Sequence, residues 1–233
     1  MQQTTLTSLA AAVGLTAFGM AAVMPALWRF GPVIVADHTR DDSMAAIARR
    51  ALSQVAGRFA LIGLSMGGYV ALEILRQATS RVTKLALLDT TARPDLPEQT
   101  ENRRRLVEVA RAGRFAEISD VLYPKLVAPA REHDPALRAI VRAMAEETGV
   151  DAFARQQAAI SARPDSRPSL ATIRCPTLVL VGAEDALTPP DRATEMAEAI
   201  PGARLVTVPD CGHLSTLERP EAVTRALVEL LEG

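Results

Sequence analysis

Phe59-Ala60-Leu61-Ile62-Gly63-Leu64-Ser65-Met66-Gly67-Gly68-Tyr69-Val70-Ala71-Leu72-Glu73-Ile74-Leu75 runs from an unbroken apolar stretch into a stretch with helical spacing, through a Gly-x-Ser-x-Gly turn. An apolar run followed directly by such a turn and a helix describes a sharp strand-to-helix bend that lifts one serine hydroxyl above the edge of a sheet. The bend is strained, so its flanks must be small. Gly63 and Gly67 meet that need, and Gly68 lets the helix approach the sheet. The same bend leaves the Met66 backbone N–H pointing toward whatever Ser65 attacks, near the positive end of the helix.

Outward from this turn, short apolar runs alternate with helical patterns, the signature of parallel βαβ units. The runs at 9–13, 33–36, 59–62, 84–88, 177–181 and 204–208 predict six strands, with helices expected at 17–27, 43–56, 66–77, 191–200 and 220–231. Residues 93–168 break the alternation. They read as helices only, at 97–112, 115–123 (ending before Pro124), 135–148 (ending at Gly149) and 150–162. The expected division is an α/β core of residues 1–92 and 169–233 with a helical cap of residues 93–168 inserted between two strands. Leu122, Val127, Ile140 and Phe153 are the apolar cap residues expected to include some that face the site.

Composition excludes several function classes. The 233 residues carry a formal net charge of −1 and 3% aromatics, which gives neither a field for nucleic acid nor stacking platforms for single strands. Only Lys84 and Lys125 among the 26 basic residues are lysines, and the run Arg103-Arg104-Arg105 reads as a solvated helix face. Cys175 and Cys211 make neither a disulfide framework nor a zinc site, and are expected to be free thiols. His38, His133 and His213 show no metal-ligand spacing, so no metal is expected. No charge occurs before Arg29, but the start lacks a basic leader region, so the first segment reads as strand and helix of the domain. The expected setting is cytoplasmic, without a membrane or nucleic-acid partner.

A serine hydroxyl needs a base within hydrogen-bond reach, and that base needs an orienting acid. Asp185 lies just past the apolar run Leu178-Val179-Leu180-Val181-Gly182, and His213 just past Val206-Thr207-Val208. In a parallel sheet these C-terminal ends share one edge with Ser65. Asp89 also ends a strand and competes with Asp185 as the acid. Glu184 reads as a loop charge and Cys211 as packing. His38 and His133 are expected on the surface, and Trp28, Phe59 and Phe153 in core or cap packing.

These motifs together resemble the α/β-hydrolase superfamily, within its small esterases and enol-lactonase-like enzymes. Leu61 to Gly68 matches the nucleophile elbow, Leu180 to Asp185 the acid loop, and Gly212-His213 followed by Glu218-Arg219-Pro220 the histidine loop. The resemblance implies a mostly parallel sheet of about six strands in the α/β-hydrolase topology, with a helical cap and shortened N-terminal strands. The expected strand order is 2-1-3-4-5-6. It further implies Ser65 as nucleophile, His213 as base and Asp185 as orienter, acting on a small-molecule ester or acyl substrate without cofactor. The oxyanion hole would combine the N–H of Met66 with that of Leu15, after Gly14, or failing that Met20, after Gly19. The rival expectations are a related enzyme (lactonase, thioesterase, carbon–carbon hydrolase or cofactor-free peroxidase) and a non-catalytic ligand receptor or partner protein.

Overall fold

A computed structural model describes residues 9–13 and 17–233. Six parallel strands form one sheet: β1 (Leu9–Val13), β2 (Val33–Val35), β3 (Phe59–Leu64), β4 (Val82–Leu88), β5 (Thr177–Gly182) and β6 (Arg204–Val208). Their order is β2-β1-β3-β4-β5-β6, the order expected from the sequence. β3 and β5 are buried along their whole length. This is why they read as continuous apolar runs and not as alternating ones: helices cover both faces of a parallel sheet.

The helices are α1 (Ala17–Met20), α2 (Met24–Leu27), α3 (Met44–Gln54), α4 (Met66–Ala78), α5 (Pro97–Val109), α6 (Phe115–Leu126), α7 (Pro135–Ser161), α8 (Arg167–Leu170), α9 (Pro190–Ala199), α10 (Ser215–Glu218) and α11 (Pro220–Glu232). Strand side chains alternate between two cores. Leu61, Leu85, Leu87, Val179 and Val181 face α3, α4 and α9. Ala60, Ile62, Leu64, Leu178 and Leu180 face α2 and α11. A one-residue slip of any central strand would exchange the two sets, so the register is firmly specified.

Helices α5, α6 and α7 follow one another between β4 and β5. Both stems of this insertion are fastened to the core. Arg163, at the end of α7, donates to Asp95 at 2.6 Å and to the Arg93 carbonyl at 3.1 Å. Its guanidinium lies 4.2 Å from the centre of the Tyr69 ring on α4. Arg103 reaches the other oxygen of Asp95 at 2.7 Å, so it is an ion-pair residue and not part of a solvated face; Arg104 and Arg105 are 71% exposed.

Other local expectations also need correction. α6 runs through Pro124 to Leu126 and does not stop before it. The proline sits in the last turn, where few further backbone bonds are at stake. The break expected at Gly149 is present: α7 is two helical segments joined across that residue, at φ 71° and ψ 165°. Trp28 is not core: 61% of it is exposed. His38 is not on the surface: it is buried, with Nδ1 3.0 Å from Gln156 Nε2. Among the described residues, no helix is long and apolar enough to cross a membrane, and no group of three His, Cys, Asp or Glu side chains could hold a metal ion.

Candidate active site

The turn between β3 and α4 holds Ser65 at φ 53° and ψ −117°, a region that non-glycine residues rarely adopt. The surroundings enforce it. Ser65 N–H donates to the Leu88 carbonyl at 2.9 Å, and the Ser65 carbonyl accepts from Thr90 Oγ1 at 2.7 Å. A Cβ on Gly63 would fall 2.4 Å from the Gly67 carbonyl oxygen, and one on Gly68 2.3 Å from Thr90 Oγ1. Glycine is therefore required at both positions by close approach.

Ser65 Oγ lies 2.7 Å from His213 Nε2, and His213 Nδ1 lies 2.8 Å from Asp185 Oδ2. A carboxylate can only accept, so Nδ1 carries the ring proton and Nε2 is left to accept from the serine hydroxyl. His213 and Asp185 are buried. Burial pulls the His213 pKa down, but the charge and hydrogen bond of Asp185 outweigh it, and the net shift is upward. Burial also works against ionised Asp185; its interactions with His213 and Thr188 prevail and hold the carboxyl below its usual value. Asp185 Oδ1 accepts from the backbone N–H groups of Leu187 and Thr188, at 2.8 and 2.9 Å, and Thr188 Oγ1 donates to Oδ2 at 2.7 Å. An acid held by four donors cannot swing away from the imidazole.

Asp89, the rival acid, is also buried, but its oxygens are used elsewhere. Oδ1 accepts from Gly182 N–H at 2.9 Å, and Oδ2 accepts from the Ser215 hydroxyl. Burial pushes its carboxyl up to about 7, against the lowering effect of His213. Glu218 is a further buried carboxylate near His213. Oε1 accepts from Gly212 N–H at 3.0 Å and Oε2 from Ala128 N–H at 2.8 Å. It thus ties the histidine loop to the segment that follows α6. Leu214 N–H adds a bond to the Leu126 carbonyl at 3.1 Å. A Cβ on Gly212 would lie 2.4 Å from Ala128 N, so only glycine permits this contact.

Met66 is the first residue of α4, so its N–H has no partner within its own helix and lies beside Ser65. Leu15, expected as the second oxyanion donor, lies outside the described residues. Met20, the fallback, is fully buried in the core on the α11 side of the sheet. His133 is exposed, and Glu184 is an exposed loop residue. Sequence pattern placed Glu218 within the histidine-loop motif without a contact of its own and did not mark Thr188 as part of the site. Their signal was present, a hydroxyl three residues after the acid and an acid five residues after the histidine, but backbone-directed contacts leave no spacing rule to read.

Beside the histidine loop, α6 and α7 line a cavity of about 120 Å³. Phe115, Leu122, Met144 and Phe153 line it, and so does Leu214, the residue after His213. Of the cap residues singled out from sequence, Leu122 and Phe153 are on its wall. Val127 is buried in the cluster of Tyr123, Leu137, Val141 and Leu214, and Ile140 points to solvent with 37% exposed.

Residues 5–226 match the alpha/beta hydrolase family. An esterase structure from Thermogutta terrifontis, with malate bound, superposes with a TM-score of 0.87 at 33% identity, covering 97% of this chain and 89% of that one. An enol-lactonase from Burkholderia xenovorans superposes with a TM-score of 0.87 at 26% identity over 98% and 92% of the two chains. A Mycobacterium tuberculosis protein provisionally named a non-heme bromoperoxidase is 29% identical over 183 residues, 72% of this chain; the chain spans 66% of that relative's length.

Proposed function

The chain belongs to the alpha/beta hydrolase family, and from that membership we propose that it is a serine hydrolase cleaving a carboxylic ester or related small acyl substrate. The observation that carries this reading is the Ser65–His213–Asp185 relay at 2.7 and 2.8 Å. In the proposed reaction Ser65 Oγ attacks the acyl carbon as His213 Nε2 takes its proton, and the Asp185 carboxylate stabilises the resulting imidazolium. The Met66 N–H binds the oxyanion, with Leu15 N–H as second donor. His213 then returns the proton to the departing alcohol. Water, deprotonated by the same nitrogen, releases the acid from the acyl-enzyme.

A fluorophosphonate probe located by mass spectrometry tests the reading, together with aryl ester turnover. We expect Ser65 to be labelled, and Ser65→Ala to abolish both labelling and turnover while leaving the fold intact. Labelling elsewhere, or residual turnover above a few per cent, overturns the assignment.

The enol-lactonase neighbour supports a second reading, in which the same three residues open a lactone. There the alcohol stays tethered to the acyl group. A lactone panel run beside linear esters separates the two by the ratio of kcat/KM values.

A further inference from the structure

The cavity between α6 and α7 is mostly apolar, but three of its lining residues are polar: Ser119, Thr148 and Gln156. No charged side chain lines it among the described residues. Each polar group has its donor committed elsewhere. The Ser119 hydroxyl donates to the Ala116 carbonyl at 2.9 Å, and the Thr148 hydroxyl to the Met144 carbonyl at 2.8 Å. Both keep only lone pairs for the cavity.

Gln156 is more telling. Only 7% of it is exposed, and its Nε2 sits 3.0 Å from His38 Nδ1. With the amide NH2 on His38, Nδ1 is the acceptor and the amide oxygen is left over. The amide oxygen takes no hydrogen bond from the described residues. An amide oxygen left free of protein donors is an acceptor for whatever fills the cavity, and a bound donor would meet it on an otherwise apolar wall. The cavity therefore presents acceptors on an apolar wall. It complements a group that is apolar along its length and bears a neutral donor. An ammonium would enter without a counter-charge, which burial penalises heavily.

We infer that this cavity selects substrates whose apolar acyl chain carries a neutral hydrogen-bond donor, a hydroxyl or an amide N–H, with Gln156 as its main acceptor. The inference rests on the ester-hydrolase reading, because it assigns the cavity to the group that stays on Ser65 after the alcohol leaves. A roof of two cap helices beside the histidine loop suits that retained group.

The test is direct binding to the full-length Ser65→Ala protein, measured by calorimetry with hexanamide, 6-hydroxyhexanamide and 6-methoxyhexanamide. The methoxy compound keeps the oxygen and loses the donor. We expect the hydroxy compound to bind roughly tenfold more tightly than the methoxy compound, the effect of one well-placed hydrogen bond. Adding Gln156→Leu should erase that ratio and favour hexanamide over the hydroxy compound. Equal or stronger binding of the methoxy compound to the Ser65→Ala protein overturns the inference, even if the Gln156 variant fails to fold. A hydroxyl preference that survives Gln156→Leu overturns the role of Gln156. The parallel test of the ester-hydrolase reading is probe labelling of the unmodified protein. Absent labelling with the hydroxyl preference intact removes the activity and leaves the donor-selective cavity standing.

Discussion

Asp89 and Asp185 both follow the ends of neighbouring strands and both are buried, yet their surroundings shift their pKa values in opposite directions. Three donors and the imidazole hold Asp185 ionised, while full burial pushes Asp89 up to about 7 against the lowering effect of its two donors. Asp185→Asn should therefore lower turnover by ~10⁴, because the amide favours the wrong imidazole tautomer. In the unmodified protein kcat/KM should fall on acidification through an apparent pKa above the ordinary 6.5 of histidine, since the base must be neutral and Asp185 raises its pKa. In Asp185→Asn that limb should move to lower pH. Asp89→Asn should leave turnover nearly unchanged and move that limb only slightly, also to lower pH, because the Asp89 charge raises the His213 pKa too. Asparagine can accept from Gly182 N–H, donate to Ser215, and suit the positive φ of 44° at this position. Activity should stay within a few-fold. A carboxyl whose folded pKa is raised stabilises the fold only below its unfolded pKa, and that contribution is lost as pH climbs from about 4 to 7. The variant should thus gain on the order of a few kcal/mol relative to the unmodified protein between pH 5 and pH 8. Denaturant melts at the two pH values check the sign. A larger turnover loss for Asp89→Asn than for Asp185→Asn would reverse the assignment of the acid.

Among the elements, the short helix α10 matters more than its four residues suggest. It follows His213 by one residue. Its first residue is held by Asp89, and its last, Glu218, clamps Gly212 and Ala128. Glu218 acts on His213 through the backbone and is a positioning residue. Glu218→Leu leaves two buried N–H groups without acceptors, at about 1–3 kcal/mol each. The expected result is a marked drop in melting temperature and a kcat loss of at least tenfold with KM changed less. Glu218→Gln, which keeps one acceptor oxygen, should recover part of both. If Glu218→Leu lowers only the melting temperature and leaves kcat alone, the clamp is structural and does not place the base.

At the scale of the whole molecule, the insertion between β4 and β5 is tied to the core at several places, among them Arg163 against Tyr69 at its stems, the Gln156–His38 and Arg155–Thr39 contacts of α7, and the Glu218 clamp at the histidine loop. The cavity lies between these attachments, so its width depends on the packing of α6 against α7. Leu122→Ala and Phe153→Ala should shift the preferred acyl chain to longer homologues, by roughly tenfold in relative kcat/KM for a change of one to three methylenes. Val127→Ala should cost ~1 kcal/mol of stability without that shift, and Ile140→Ala should change neither. Rate profiles over a series of aryl esters, with melting curves alongside, distinguish these outcomes. An unchanged chain-length profile in both cavity variants would make the insertion a structural cover and no more.

The sequence by itself determined the sheet. Six apolar runs and the placement of Ser65, Asp185 and His213 after three of them followed from local pattern, because buried parallel strands and strand-to-helix turns leave contiguous signals; the order of the strands in the sheet came with the family resemblance. It also located the insertion, where alternation stopped. It left the acid open between Asp185 and Asp89, since both end a strand; only the fold shows that Ser215 and Gly182 occupy one while the imidazole meets the other. It misread His38 and Trp28, because the burial of an isolated side chain depends on which distant helix covers it: α7 covers the histidine through Gln156, while the tryptophan stays mostly exposed. The Thr188 and Glu218 contacts, the choice of Leu122 and Phe153 over Val127 and Ile140 as cavity wall, and the acceptor-only lining of the cavity were decided by tertiary structure. Each arises from residues far apart in the chain, whose distance and direction no local spacing encodes.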